Sequence, residues 1–142
     1  MTEPARDELI HAALDAQTRA YAPYSNFPVG AAIRTASGKI YQGANVENVS
    51  YGLTICAERV AAGTAVAAGD REFTAIAVVS NGGVTPCGAC RQFLAEFNPN
   101  LRIVMVDSLQ QDHGYQATLD QLLPSRFDKS KLDSGKRRPS QP

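Results

Sequence analysis

The sequence predicts an α/β fold: a three-layer α/β/α sandwich on a mixed five-stranded sheet. Two observations lead there. "FTAIAVVS" (73–80) and "LRIVMVDS" (101–108) are nearly continuous apolar runs rich in β-branched residues, as interior strands covered on both faces require. Helical patterns lie before and between them, and helices alternating with strands pack onto the faces of a sheet.

Taken in order, Leu9, Ile10, Ala13, Leu14, Ala16, Thr18 and Ala20 fit one face of a helix. "YAPYSNFPVG" follows as a loop, punctuated by Pro23, Pro28 and Gly30. "VGAAIRTASGKIYQGANV" reads as a hairpin turning at 36–38, and residues 45–55 have no clean period. The alanine-rich run 57–68 reads as a buried helix ended by Gly69-Asp70. After the 73–80 strand, "NGGVTPCGAC" is a turn and "RQFLAEF" a helix stopped by Asn98-Pro99. Beyond the 101–108 strand, a turn at 110–114 leads to an edge strand "YQATL" and then "DQLLPSRF". Residues 1–127 form the expected catalytic domain. The polar tail 128–142, with Lys129, Lys131, Lys136, Arg137 and Arg138, is expected to be disordered and solvated.

The 142 residues suit one domain, and fourteen Lys and Arg balance fourteen Asp and Glu. No bulk field therefore draws the chain to nucleic acid or an anionic membrane, and a small, near-neutral partner is expected. No apolar run approaches the roughly 20 residues of a membrane span. "MTEPARDELIHAAL" lacks the basic-then-apolar order of a secretory signal. Three cysteines are an odd number and too few for a disulfide scaffold, so a reducing cytoplasm is the expected compartment.

The cysteines carry the chemistry. Cys56 stands where a helix begins after a loop, and Pro86-Cys87-Gly88-Ala89-Cys90 opens another helix. Helix N-termini stabilise thiolates, and two such starts side by side supply three sulfurs to one ion. Three protein ligands leave a fourth tetrahedral position open, the mark of a catalytic zinc. Sulfur donors favour zinc over magnesium or calcium. His11 and His113 sit near no cysteine in the sequence and read as surface residues. Glu58, in the first helical turn, is placed to take a proton from water at the ion and return it as a general acid. Arg59 is placed to hydrogen-bond the sulfurs and balance their charge. Each part alone has a plainer reading: Cys-x-x-Cys as a redox motif, Cys56 as a buried structural cysteine, Glu58-Arg59 as an ion pair. The combination of Cys-Ala-Glu with Pro-Cys-x-x-Cys thirty residues on favours the metal site.

Those motifs, with "AYAPYSNFPVGAA", "GANVENVSYGLTICAER", "PCGACRQ" and "LLPSRF" in the same order, resemble the zinc-dependent cytidine deaminases of the small homotetrameric type, over roughly residues 20–127. The polynucleotide-editing deaminases commonly have His in the first ligand position, where this chain has Cys56. The resemblance implies hydrolytic deamination of cytidine or 2′-deoxycytidine to the uridine product and ammonia, in pyrimidine salvage, with one zinc ion per chain and no nucleic-acid partner. It assigns Cys56, Cys87 and Cys90 to the metal and Glu58 to proton transfer. Phe27 would lie on the pyrimidine face, Asn45 and Glu47 on the ribose hydroxyl, and the Ala57 N–H with Glu58 on the base edge. Tyr51 and Phe127 would reach a neighbouring subunit's site. Three alternatives stand beside it: a deaminase of a cytosine-bearing antibiotic, a non-catalytic zinc-stabilised module binding RNA or protein, and a thiol redox protein. The second leaves Glu58 without a task, and the third leaves both Cys56 and Glu58 without one.

Overall fold

A computed structural model describes residues 1–136. Five strands run in the order β2-β1-β3-β4-β5, comprising β1 (Val29–Thr35), β2 (Ile40–Ala44), β3 (Phe73–Ser80), β4 (Arg102–Asp107) and β5 (Gln110–Thr118). Only β3 and β4 pair in parallel; β1–β2, β1–β3 and β4–β5 are antiparallel, so the sheet is mixed, as expected. The parallel pair is joined through α3 (Gly88–Ala95), the crossover that parallel strands require.

Both faces of the sheet are covered. α1 (Glu3–Gln17) lays Leu9, Ile10 and Ala13 on Ala32, Ala75, Ala77, Val79, Val104 and Val106. On the opposite face α2 (Ala57–Ala67) and α3 pack Ala57, Ala61, Ala65 and Leu94 against Ile33, Ile76, Val78, Ile103 and Met105. Burial on both sides explains the unbroken apolar runs of β3 and β4. Each fully buried Val, Leu or Ile contributes about 1.5–3 kcal/mol relative to exposure. Small residues set how closely the layers approach. A Cβ on Gly43 would lie 2.3 Å from the Ala61 amide nitrogen and 2.5 Å from the Ala57 carbonyl oxygen, so the backbone of α2 rests directly on β2.

Several boundaries differ from the sequence expectation. α1 begins at Glu3 because the Thr2 hydroxyl caps it, accepting the Ala5 N–H at 3.2 Å. The expected turn at 110–114 lies within β5; the chain reverses instead at Ser108-Leu109, where Asp107 Oδ1 accepts the Leu109 and Gly82 N–H groups. Gly114 marks a close approach within the strand: a Cβ there would lie 2.5 Å from the Met105 carbonyl oxygen. A short helix α4 (Leu119–Leu122) follows, closed by a capping box between Thr118 and Gln121. The tail expected without regular structure carries α5 (Lys129–Lys136), started by Asp128, whose carboxylate accepts from the Ser130 hydroxyl and the Lys131 N–H. None of its residues is buried. Arg137, Arg138 and the remaining tail lie outside the described residues.

Gly43→Ala is expected to lift α2 from β2 and lower stability by about 1–3 kcal/mol, the usual cost of overpacking, in urea unfolding. An unchanged midpoint would contradict the close approach.

Candidate active site

Cys56 is the N-cap of α2 and Cys87 the N-cap of α3, both with extended backbone. The Cys87 sulfur accepts the Cys90 N–H at 3.5 Å, so it takes up an orphan donor of the helix start as a Ser or Asp would. Arg91 ties the loop before it: Nε donates to the Pro86 carbonyl at 2.8 Å, Nη2 to Thr85 Oγ1 at 3.0 Å and Nη1 to the Leu122 carbonyl at 2.9 Å.

The two helix starts converge. Cys56 and Cys87 Sγ are 3.9 Å apart, and all three cysteine sulfurs lie within 4.8 Å of one another. Tetrahedral zinc with Zn–S bonds near 2.3 Å sets its sulfurs about 3.8 Å apart, so the donor set and spacing fit that ion. This is the one cluster of three His, Cys, Asp or Glu side chains close enough to hold a metal among the described residues.

The charges around the cluster are ordered. Cys56 is held down to about 5, chiefly by hydrogen bonding from Cys90, with Arg59 and Cys87 adding to the effect. Cys90, fully buried, is pushed well up by the same hydrogen bond and by burial. Arg59 Nη2 donates to Cys56 Sγ at 3.5 Å. Glu58 is 4% exposed, and burial raises its carboxyl above the ordinary value, with the negative Cys56 sulfur adding to the rise. A carboxyl of raised pKa beside a metal-binding cluster is suited to carry protons.

These groups open on a cavity of about 250 Å³. Cys56, Ala57, Glu58 and Cys87 line it together with Phe27, Asn45 and Glu47, so the structure brings together most of the residues singled out from the sequence. Asn45 is almost fully buried, and its amide closes the 27–29 backbone: Oδ1 accepts the Val29 N–H at 2.9 Å and Nδ2 donates to the Phe27 carbonyl at 3.0 Å. Glu47 Oε1 accepts the Tyr24 and Ser25 N–H groups at 2.9 and 3.1 Å, and Oε2 accepts the Ser25 hydroxyl. The Ser25 bond, first among these, holds the Glu47 carboxyl below its ordinary value.

Tyr51 and Phe127 do not line this cavity. Tyr51, 75% exposed, lines an adjoining cavity with Tyr24, and Phe127, 60% exposed, lines neither. Sequence reasoning missed Ser25 and Val29, which line the main cavity, and Arg91, which steadies its wall. A serine before Asn26 and Phe27 reads as an ordinary turn residue, and only its contact with Glu47, 22 positions on, reveals it.

Residues 4–106 match the family model for the cytidine and deoxycytidylate deaminase zinc-binding region. A cytidine deaminase of Sporosarcina psychrophila is 46% identical over 128 residues, covering 89% of this chain and 93% of the relative. One of Halalkalibacterium halodurans is 48% identical over 124 residues, covering 86% and 93%. The crystal structure of cytidine deaminase from Burkholderia pseudomallei superposes with a TM-score of 0.82 at 49% identity, covering 89% of this chain and all of that one. With the three-cysteine cluster at its helix starts, this chain belongs to the cytidine and deoxycytidylate deaminase zinc-binding family.

Proposed function

We propose that this protein deaminates cytidine and 2′-deoxycytidine hydrolytically, giving the uridine product and ammonia, in pyrimidine salvage in the cytoplasm. The observation that carries the reading is the buried Glu58 carboxyl beside three convergent sulfurs, in a cavity that Asn45 and Glu47 also line. Among the described residues no Lys or Arg lines this cavity or the adjoining one, and Glu47 lines both. Such a site suits an uncharged nucleoside and repels a phosphate. It also favours a plain sugar hydroxyl over the elaborated sugar of a cytosine-bearing antibiotic.

Zinc held by Cys56, Cys87 and Cys90 supplies the chemistry that activates water for attack on C4 of the base. Glu58 accepts the proton released from that water and passes it to ring N3. It then takes the proton of the hydroxyl added at C4 and delivers it to the exocyclic amino group, so that C4 becomes a carbonyl and the amine departs as ammonia. Water and nucleoside together account for every atom of the two products. Glu58 suits both steps because burial raises its carboxyl: the carboxylate is a stronger base for the first step, and its acid form is easier to populate for the second. Three thiolates outweigh a divalent ion by one negative charge, and the guanidinium of Arg59 on Cys56 offsets it. Phe27 packs on the base face, the Ala57 N–H and Glu58 read its edge, and Asn45 with Glu47 binds the sugar. A site built on such hydrogen bonds rejects analogues that leave its groups unpaired.

The oligomer follows from the same surface. Val49, Tyr51 and Leu53 are 75%, 75% and 65% exposed beside the site, and Phe127 is 60% exposed. Apolar exposure of this kind supports burial against further copies of the chain, as a homotetramer with shared active sites. Among the described residues no helix is long and apolar enough to cross a membrane.

Three measurements test the reading. Glu58→Gln is expected to keep its zinc, by metal analysis, and to lose cytidine turnover by about 10²–10⁴-fold or more, followed by ultraviolet absorbance. Retained activity would sink the mechanism. Cys90→Ala is expected to lose most of its zinc on dialysis, and full occupancy would remove Cys90 from the ligand set. Sedimentation is expected to show a tetramer that Tyr51→Asp weakens; a fully active monomer would refute shared sites.

A further inference from the structure

The loop between α1 and β1 contains a hydrogen-bond relay that links Glu47 to Phe27, both of which line the main cavity. Ser25 is its centre. The serine hydroxyl donates to Glu47 Oε2 and accepts the Phe27 N–H at 3.0 Å. Asn26 adopts a left-handed conformation, φ 54°, which turns the chain between Ser25 and Phe27. Ser25 also lines both the main cavity and the adjoining one.

We propose that Ser25 is a positioning residue for the nucleoside, setting the carboxylate of Glu47 for the sugar and, through the Phe27 N–H, the ring that meets the base. This rests on the assignment of Glu47 and Phe27 to sugar and base. A carboxylate oxygen accepts about two hydrogen bonds. Oε1 is filled by the Tyr24 and Ser25 N–H groups, whereas Oε2 accepts Ser25 Oγ and keeps a further lone pair for a sugar hydroxyl. Ser25 therefore decides where that lone pair points. Removing its hydroxyl frees Oε2 to move and leaves the Phe27 N–H without this acceptor.

The loop has other anchors. The Asn26 N–H donates to the Ala22 carbonyl at 3.0 Å, Asn45 holds the Phe27 carbonyl, and both Oε1 bonds use main-chain donors. Ser25→Ala therefore leaves the loop and the cysteine cluster in place, and its effect falls on binding.

Steady-state kinetics with cytidine on the zinc-loaded protein provide the test, using Ser25→Ala, Ser25→Thr, Glu47→Gln and the Ser25→Ala/Glu47→Gln pair. Ser25→Ala is expected to raise KM about tenfold, as the loss of one hydrogen bond to a charged group does, with kcat within about twofold of the parent. Ser25→Thr, which restores the hydroxyl, recovers most of the loss. In the Glu47→Gln background Ser25→Ala adds less than it does alone, because the charge that strengthens the shared hydrogen bond is already gone. An unchanged KM in Ser25→Ala, a loss confined to kcat, or full additivity in the pair would overturn the proposal. An unchanged KM in Glu47→Gln alone would overturn it too, by removing the assignment of Glu47 to the sugar, while leaving the zinc and Glu58 chemistry untouched.

Discussion

The convergence of two helix N-termini governs the rest of this structure. Cys56 and Cys87 cap α2 and α3, and their sulfurs meet 3.9 Å apart only if both helices lie on the same face at fixed depths. The parallel β3–β4 pair fixes α3 through its crossover, and Gly43 lets α2 rest directly on β2. Arg91 then ties the Cys87 loop to α4 through Thr85, Pro86 and Leu122. The same convergence buries Glu58, because the first turn of α2 is pressed against the wall that holds the sulfurs.

Two carboxylates in one cavity are driven in opposite directions by their surroundings. Burial raises Glu58 above the ordinary carboxyl value, which suits it to the proposed proton transfer. Glu47 accepts hydrogen bonds from Ser25 and Tyr24 and is held below its ordinary value, so it remains a fixed acceptor. Divergent environments of this kind separate the roles of chemically similar groups. Arg59 acts on a third site, donating to Cys56 where negative charge accumulates.

The expected fold class matches the observed sheet because β3 and β4 are buried on both faces and the hairpin and edge strand flank them, a pattern written in consecutive residues. The metal cluster was legible for a related reason: Cys56 and Cys87 each mark a helix start within a few residues of chain. What escaped depends on contacts between distant residues. Gly114 signalled a turn but lies inside β5, against the Met105 carbonyl. Polar composition from 128 onward suggested no regular structure, whereas Asp128 caps a helix without burying any of its residues. Ser25 and Arg91 acquire their importance from partners 22 and 31 residues away, which no local pattern announces.

The proposed conversion of cytidine to uridine depends on Glu58 acting beside a zinc ion that Cys56, Cys87 and Cys90 would hold. Titrating zinc into metal-free protein while following cytidine absorbance tests it most directly. Turnover rising in proportion to bound zinc and levelling at one ion per chain is the predicted result. Full turnover without metal, or a zinc-loaded chain inert toward cytidine, would contradict it.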